Sequence, residues 1–250
     1  MKKLFLLLIL VLISGISFGQ ETQEKATKKQ MDDYLFEEAF KSVSPKKVST
    51  VILKDGTVKK GFCNDLDKKK GQIYAITIKD TVSGKPESFQ AAQISELRLY
   101  AGGFAKVMKM DQYFSTSNAS NWGKKSVKSI FKNDEIPFIN EKVKLNFSNE
   151  EGEYLMQLIN PQFSEKIKVY ADPRAQETNK VSVGGFGVTG GVTKSFYVKK
   201  GTRIFLLEKK NFKDEYQFLF GDNQAFMQKY PVADANWNYL SFLIKEYDRM

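Results

Sequence analysis

The sequence contains no histidine and one cysteine, Cys63. The lack of imidazole excludes Ser-His-Asp and Cys-His catalysis, and it excludes metal sites built on histidine. A single thiol allows neither an intramolecular disulfide nor a zinc site built on thiolates, so core packing must stabilise the chain. We expect Cys63 to be a buried small hydrophobic residue. No catalytic, metal or cofactor residue is predicted, although carboxylate-based hydrolysis remains open.

Long apolar runs are missing as well, except at the N-terminus. A basic start and an unbroken apolar run over residues 4–13 are followed by Ser17 and Gly19, which place small residues at positions −3 and −1 of a cleavage site. This layout predicts a secretory signal peptide over residues 1–19, with an uncleaved anchor as the alternative. No later segment reaches the roughly 18 apolar residues of a membrane span, so we expect an exported, soluble or peripheral protein of the periplasm, the outer surface or the medium.

Acidic residues are outnumbered by basic ones. The formal net charge is +10 at pH 7, and loss of Lys2 and Lys3 with the leader would lower it by two. Excess lysine attracts anionic lipid head groups, acidic glycans or nucleic acid. Most lysine doublets fall where turns are expected, which is the ordinary place for solvated charge. A solvated surface and a polyanion site are therefore both kept as interpretations.

Apolar residues alternate with a period of two from residue 48 onward, which is typical of β-strands. Asp55-Gly56 lies between two such runs and predicts a type I′ hairpin, because that turn needs positive φ at both central residues. Tyr74, Ile76 and Ile78 are expected to share one strand face. A small, strongly bent β unit is therefore predicted over residues 48–103, with strands at 48–53, 58–63, 72–79, 88–90 and 94–100.

This unit resembles the SH3-like and Sm-like small barrels. The resemblance lies in Val-x-x-Val-x-Leu-Lys-Asp-Gly-Thr over residues 48–57 and in the following Lys60-Gly61-Phe62. It implies a small barrel fold. The Sm-like relatives bind RNA in the cytosol, which conflicts with an export signal, so the resemblance implies no binding residue here.

The segments on either side of this unit are expected to differ in structure. Residues 20–47 are predicted to be a flexible lead and a short amphipathic helix, the helix covering residues 30–43. A β-rich unit is predicted over residues 104–210, and a helical tail packed on it over residues 211–250. The predicted strands of the β-rich unit are 104–113, 141–147, 153–160, 165–171, 181–183, 192–199 and 202–208.

The helical tail carries aromatic residues at helical spacing. Asp222 and Asp234 are expected to cap two of its helices, and Trp237 is expected to lie in the core. From residue 165 to the C-terminus, the chain resembles uncharacterised exported β-rich proteins of Gram-negative bacteria, through Phe196-Tyr197-Val198-Lys199-Lys200-Gly201 and the aromatic tail. Those relatives often have a cysteine-proline pair where this chain has Asn223-Gln224, and the resemblance implies no activity.

Together these patterns predict an α+β fold that is mainly β. It would have a small N-terminal β-barrel-like unit, a second antiparallel β unit and C-terminal helices.

The stretch Gly185-x-Gly187-x-x-Gly190 has the spacing of a dinucleotide-binding fingerprint. That mechanism needs a strand, a tight turn and then a helix whose N-terminus faces the pyrophosphate. The residues after Gly191 are β-branched and aromatic and predict a second strand, so we interpret residues 184–191 as a glycine-rich hairpin and do not expect nucleotide binding. The alternative is an anion bound by successive backbone N–H groups, with Lys194 nearby.

Candidate ligand-binding residues come from two predicted loops: Trp122, Lys124, Lys125, Gly187, Gly190 and Lys194. An exposed Trp122 would stack on a sugar or partner, whereas a buried one would belong to the core. A carboxylate pair for hydrolysis would come from Glu150, Glu151, Glu153, Asp172 and Glu177, which the interpretation as loop charges also explains. Asp65, Asp67 and Gly71 only faintly resemble a calcium loop.

The leading functional hypothesis is an exported, non-enzymatic binding or structural protein of the bacterial envelope with no cofactor. Its partner would be an envelope glycan, anionic lipid or another envelope protein. The alternatives are a carboxylate-based hydrolase acting on an envelope or extracellular polymer, and lysine-driven association with anionic envelope surfaces.

Overall fold

The computed structural model describes residues 26–27, 31, 36–37, 39–69, 71–103, 134–146, 148, 151–175, 182–183, 186–187 and 195–250. The predicted leader and the predicted strand at 104–113 lie outside these residues. The structure is mainly β, with a closed barrel, a second antiparallel sheet and C-terminal helices, which confirms the predicted fold class. Within the described ranges, no helix has both the length and the apolar character that crossing a membrane requires.

Seven strands form the first sheet: β1 Val48–Leu53, β2 Val58–Lys69, β3 Gln72–Asp80, β4 Pro86–Gln90, β5 Ile94–Tyr100, β6 Glu135–Lys144 and β7 Glu151–Gln157. Six of them close an antiparallel barrel in the order β1-β2-β3-β7-β6-β5, and β4 extends the sheet from β3. Ile73 lies opposite Leu155 where β3 meets β7 and closes the ring. The sheet thus includes two strands from beyond residue 103, where the sequence placed the end of the small unit.

The barrel encloses a core of aliphatic side chains together with Phe40, Phe89 and Phe138. Val51, Ile76 and Leu97 are fully buried, as the period-two pattern of their strands requires. Between β4 and β5, the chain forms a 3-10 helix over Ala91–Gln93.

The Asp55-Gly56 hairpin forms as predicted, but its turn is different. The N–H of Gly56 donates to the carbonyl of Leu53 at 3.0 Å, and the N–H of Leu53 donates to Thr57 at 2.9 Å. The loop therefore has three residues and ends at Gly56 with φ of 85°, which is a type I turn followed by a G1 bulge.

Two other expectations for the barrel were wrong. Tyr74 does not share a face with Ile76, because the β2–β3 register shifts there and leaves Tyr74 as the extra residue of a bulge, 43% exposed. Cys63 is only partly buried, at the edge of the barrel core. Burial, and then the nearby Asp65, raise the pKa of its thiol.

The strands after the barrel are β8 Ile167–Ala171, β9 Ser182–Val183, β10 Phe186–Gly187, β11 Ser195–Lys200 and β12 Arg203–Glu208. Three of them form the second sheet in the order β12-β11-β8, and β9 pairs with β10 separately. On one face of the sheet, Tyr170 and Tyr197 pack with Val143 and Met156 from the barrel wall. On the other face, residues such as Val198 pack against the helices. The protein thus stacks barrel, sheet and helices.

The helical layer contains α1 Phe212–Phe220, α2 Gln224–Lys229, α3 Leu240–Arg249 and 3-10 helices over Val232–Asp234 and Trp237–Tyr239. Trp237 lies in its core as predicted, 5% exposed. The predicted caps were wrong. Asn223 caps α2 by accepting the N–H of Phe226 at 3.0 Å, whereas Asp222 binds Lys200. Asp234 lies inside a 3-10 helix, and Asn236 caps the next one.

The helix predicted over residues 30–43 is not found at that length. Met31 is helical, but residues 36–37 and 39–42 are not. Phe36 packs against Phe196, with ring centroids 5.0 Å apart, and Phe40 packs against Phe138 at the same distance. Phe36 thus contacts the helical layer and Phe40 contacts the barrel core, and a non-helical chain covers more distance per residue between the two than a helix does.

Candidate functional site

The described residues of the glycine stretch form a short antiparallel pair of strands. Val183 lies opposite Phe186 and Gly187 opposite Ser182 in the pair β9–β10. The second strand predicted after the glycines is β11, and it pairs with β8 and β12 rather than with β9. Residues 184–185 and 188–194 lie outside the described residues, so the interpretation of the whole stretch as one hairpin stays a prediction.

Of the six candidate ligand-binding residues, only Gly187 lies within the described structure, as part of β10. Trp122, Lys124, Lys125, Gly190 and Lys194 lie outside the described residues. Their grouping into a site therefore stays a prediction.

The described carboxylates proposed for hydrolysis each have a different partner. Glu151 lies 3.4 Å from the ammonium of Lys142, and Glu153 lies 2.6 Å from that of Lys54. Asp172 is buried and accepts the hydroxyl of Ser195 at 2.7 Å. Glu150 and Glu177 lie outside the described residues. The described members are thus engaged separately rather than with one another.

The residues with a calcium-loop spacing do not form a loop. Asp65 and Asp67 belong to strand β2, and Gly71 begins the turn into β3. Among the described residues, no group of three or more acidic or cysteine side chains is arranged to hold a metal ion.

A charged cluster that the sequence analysis missed lies between the barrel and the second sheet. The Glu141 carboxylate on β6 accepts the hydroxyl of Tyr170 at 2.6 Å through one oxygen and the ammonium of Lys199 at 2.6 Å through the other. The Glu141 side chain is 9% exposed. Burial, followed by the bond to Glu141, raises the pKa of Tyr170 well above its usual range. Both carboxylate oxygens are engaged, so this cluster joins two layers and does not present a free base.

The described surface that combines apolar and cationic side chains is on the outside of the barrel. We call it the exposed barrel face, and it consists of Val48, Val58, Phe62, Lys60 and Lys79 on the strands together with Val82 and Lys85 in the adjoining β3–β4 connection. Val82 is 94% exposed and Val58 is 53% exposed. Val48 and Phe62 are each about a third exposed. Among the described residues, these four are the majority of the large hydrophobic side chains that reach solvent.

Strand pairing brings these side chains together. Val48 on β1 lies opposite Phe62 on β2, and Phe62 lies opposite Lys79 on β3. Val58, Lys60 and Phe62 alternate along β2 and therefore point outward together. The N–H of Thr81 donates to the carbonyl of Lys60 at 3.1 Å, which holds the β3–β4 turn and its Val82 beside the face.

The exposed barrel face has a surplus of positive charge. Lys59 lies between Val58 and Lys60, points to the opposite side of β2, and is paired with Glu87 at 3.0 Å. No described carboxylate forms an ion pair with Lys60, Lys79 or Lys85. The nearby Asp80 accepts the N–H of Ser83 at 2.6 Å and that of Val82 at 3.0 Å. The bond from Ser83 lowers the pKa of Asp80, so this carboxylate stays charged and shapes the turn.

The sequence contains one signal for the exposed barrel face. Val58, Lys60 and Phe62 alternate within a predicted strand, so a shared outward face follows from their spacing. Lys79 lies beside that strand because of the β2–β3 register, which the sequence does not show.

Fold and surface together define a β-barrel protein with a sheet and a helical layer on one side and an apolar, cationic patch on the barrel wall. No protein-family model, no curated protein and no solved structure matches the chain.

Proposed function

We propose that this chain is an exported, non-enzymatic binding protein of the bacterial envelope, and that the exposed barrel face is its contact surface. The observation that carries the proposal is the grouping of Val58, Phe62 and Val82 with three lysines that have no described carboxylate partner. Apolar side chains in solvent are unfavourable for a free monomer when they cluster, and such patches commonly mark interaction sites.

The state of the carboxylates supports binding over hydrolysis. A retaining hydrolase needs two carboxyl groups about 5 Å apart in a cleft. Glu141 is occupied by Tyr170 and Lys199, while Glu151 and Glu153 are bound to separate lysines. These arrangements stabilise the structure and do not supply an acid and a base to one substrate.

The strand order supports the resemblance to SH3-like and Sm-like barrels. The first five strands pair in the order β5-β1-β2-β3-β4, with a 3-10 helix between β4 and β5, which is compatible with a small barrel. Strands β6 and β7 are an addition that closes the ring between β5 and β3. The likeness concerns the fold, and the binding surface is argued from the residues of this chain.

Export rests on the leader-like N-terminus, with its apolar run over residues 4–13 and small residues before Gln20. N-terminal sequencing of the protein recovered from the periplasmic or extracellular fraction is expected to begin at Gln20. Recovery of the full-length chain from the cytosol would contradict export.

The binding function is tested with the processed chain and washed envelope preparations, fractionated into polysaccharide, lipid and protein. We expect retention that Lys79→Glu weakens and that Lys144→Glu leaves unchanged, since both lysines are exposed strand residues and only Lys79 belongs to the face. Turnover of an envelope polysaccharide that a single Asp or Glu substitution abolishes would instead establish the hydrolase.

A further inference from the structure

We infer that the partner of the exposed barrel face is the surface of a lipid bilayer rich in anionic head groups. This inference rests on the proposed function and assigns its ligand. It follows from the type of cation, from the position of Val82 and from the shape of the surface.

The cations of the face that have no described ion-pair partner are lysines, whereas Arg98, which lies opposite Thr50 on the neighbouring strand β5, is paired with Glu96 at 2.6 Å. Lys60 and Lys79 lie on neighbouring strands, and Lys85 lies at the end of the turn that joins β3 to β4. An ammonium is a compact point charge on a flexible stem, whereas fixed bidentate recognition of one phosphate is better served by arginine. Several separate ammonium groups suit a surface on which anionic head groups are mobile and numerous.

Val82 distinguishes a bilayer from an acidic glycan. It lies in the tight β3–β4 turn, is 94% exposed, and is followed by Ser83 and Gly84. The turn is fixed by the hydrogen bonds that Asp80 accepts from Val82 and Ser83. A projecting aliphatic side chain offers a sugar no hydrogen bond, but it gains free energy by entering the boundary between head groups and acyl chains.

The shape of the face agrees with this partner. Val48, Val58 and Phe62 point outward from the wall of a closed barrel, so they cover a convex surface. A bilayer deforms around a convex surface and needs no complementary groove. Lys60 lies between Val58 and Phe62 along β2, and Lys79 lies opposite Phe62, so these ammonium groups lie next to the apolar side chains that would face the bilayer.

The test measures binding of the processed chain, beginning at Gln20, to vesicles of phosphatidylglycerol and phosphatidylcholine by co-sedimentation. We expect binding to vesicles containing phosphatidylglycerol, loss of binding to pure phosphatidylcholine, and weakening by salt. Val82→Asp is expected to reduce binding about tenfold, because burial of one valine and repulsion of one carboxylate act together. The matched control is Val232→Asp, which changes an exposed valine in the helical layer, 43% exposed, and should leave binding unchanged.

A second pair of variants tests the lysines. Replacing Lys60, Lys79 and Lys85 with glutamine should weaken binding about a hundredfold, from about fivefold for each lysine near an anionic surface. Replacing Lys144, Lys209 and Lys213 with glutamine removes the same charge from other exposed positions and should have a much smaller effect. Circular dichroism confirms that each variant remains folded.

The outcomes separate this inference from the proposed function. Equal losses in the two lysine sets, or equal effects of Val82→Asp and Val232→Asp, overturn the assignment of lipid to this face. Binding to an acidic polysaccharide or an acidic envelope protein, with none to vesicles, also overturns it, and leaves the binding function standing if Lys79→Glu abolishes that interaction.

Discussion

At the scale of single residues, the most consequential contact is the one that Glu141 makes between two layers. Its carboxylate is nearly buried and receives one hydrogen bond from Tyr170 of β8 and one from Lys199 of β11. A buried ion pair contributes little net stability, but loss of one partner leaves an uncompensated charge. The pair therefore penalises any other register between the barrel and the second sheet.

Replacing Lys199 with methionine tests this role. Glu141 would keep only the Tyr170 bond, and we expect the free energy of unfolding to fall by about 2–3 kcal/mol in urea denaturation. The control is Lys142→Met, which removes the partner of Glu151 in a pair whose side chains are 71% and 59% exposed. That change should cost less than about 0.5 kcal/mol. Equal losses from the two variants would show that Glu141 does not need its lysine.

Residue type alone did not predict which side chain makes which contact. Asp222 was expected to cap a helix, but its carboxylate binds Lys200 and the hydroxyl of Tyr247. Asn223, the next residue, takes the capping role. Both side chains have the chemistry of a cap. Only the position of Lys200, brought near by the second sheet, decides which of them is used.

At the scale of elements, strand β2 determines the curvature of the barrel. It runs from Val58 to Lys69 and pairs with both β1 and β3, so it must bend to belong to the two sides of the ring. Gly61 lies where both neighbouring strands pair with β2, and an added Cβ there would lie 2.6 Å from the carbonyl oxygen of Lys79 and 2.9 Å from the Cβ of Ile78. Glycine is required there by the close approach of two strands.

Gly61→Ala is therefore expected to destabilise the protein by about 2 kcal/mol, in the range of other overpacked sites. Thermal unfolding followed by circular dichroism measures the change. Gly103→Ala is the matched control, because an added Cβ there meets no atom within 4 Å. It should be neutral or slightly stabilising, within about 0.5 kcal/mol. An unchanged melting temperature for Gly61→Ala would contradict the close approach.

The boundaries of some elements could be predicted from the local sequence pattern alone. The runs predicted at residues 48–53 and 94–100 match β1 and β5. Each of these elements has one buried face, so its apolar residues recur with a clear period. The helix predicted over residues 30–43 failed because Phe36 and Phe40 belong to two different cores, and contacts with those cores override the local preference.

At the scale of the whole molecule, aromatic side chains join the layers. Tyr170 and Tyr197 are fully buried between the barrel and the second sheet, while Tyr216 and Tyr247 lie in the helical core. Their hydroxyls are hydrogen-bonded, as the burial of a polar group requires. The protein thus has neutral tyrosine side chains between its layers and in its helical core, and their ionisation would disrupt this packing.

This arrangement predicts a loss of stability at alkaline pH. Burial raises the pKa of Tyr197 to about 12 and also raises the pKa values of Tyr170, Tyr216 and Tyr247. In the unfolded chain, tyrosine ionises at about pH 10. The unfolded state therefore loses protons that the folded state retains, so stability is complete below about pH 10 and falls as the pH rises toward 12.

Tyrosinate absorbance and far-ultraviolet circular dichroism, recorded together across this range, measure the effect. The buried tyrosines are expected to ionise in a cooperative step that coincides with unfolding. Gradual ionisation of all 11 tyrosines near pH 10 in a chain that remains folded would contradict it.

The two β units illustrate the limit of prediction at this scale. Alternating residues predict strands, but they do not say which strands pair. β6 and β7 were assigned to the second unit, yet they complete the barrel through Ile73 and Leu155, which are far apart in the chain. The exposed barrel face has the same origin, because Lys79 becomes a neighbour of Phe62 only through the β2–β3 register.

The amino-acid sequence by itself determined the absence of imidazole and of a disulfide, the predominance of strands and the aromatic helical tail, since these depend on composition and on local period. The tertiary structure decided the closure of the barrel, the buried Glu141–Lys199 pair and the grouping of lysines with exposed valines. Each of these depends on strand register and layer packing, which are set by the total free energy of many distant contacts and not by any one segment.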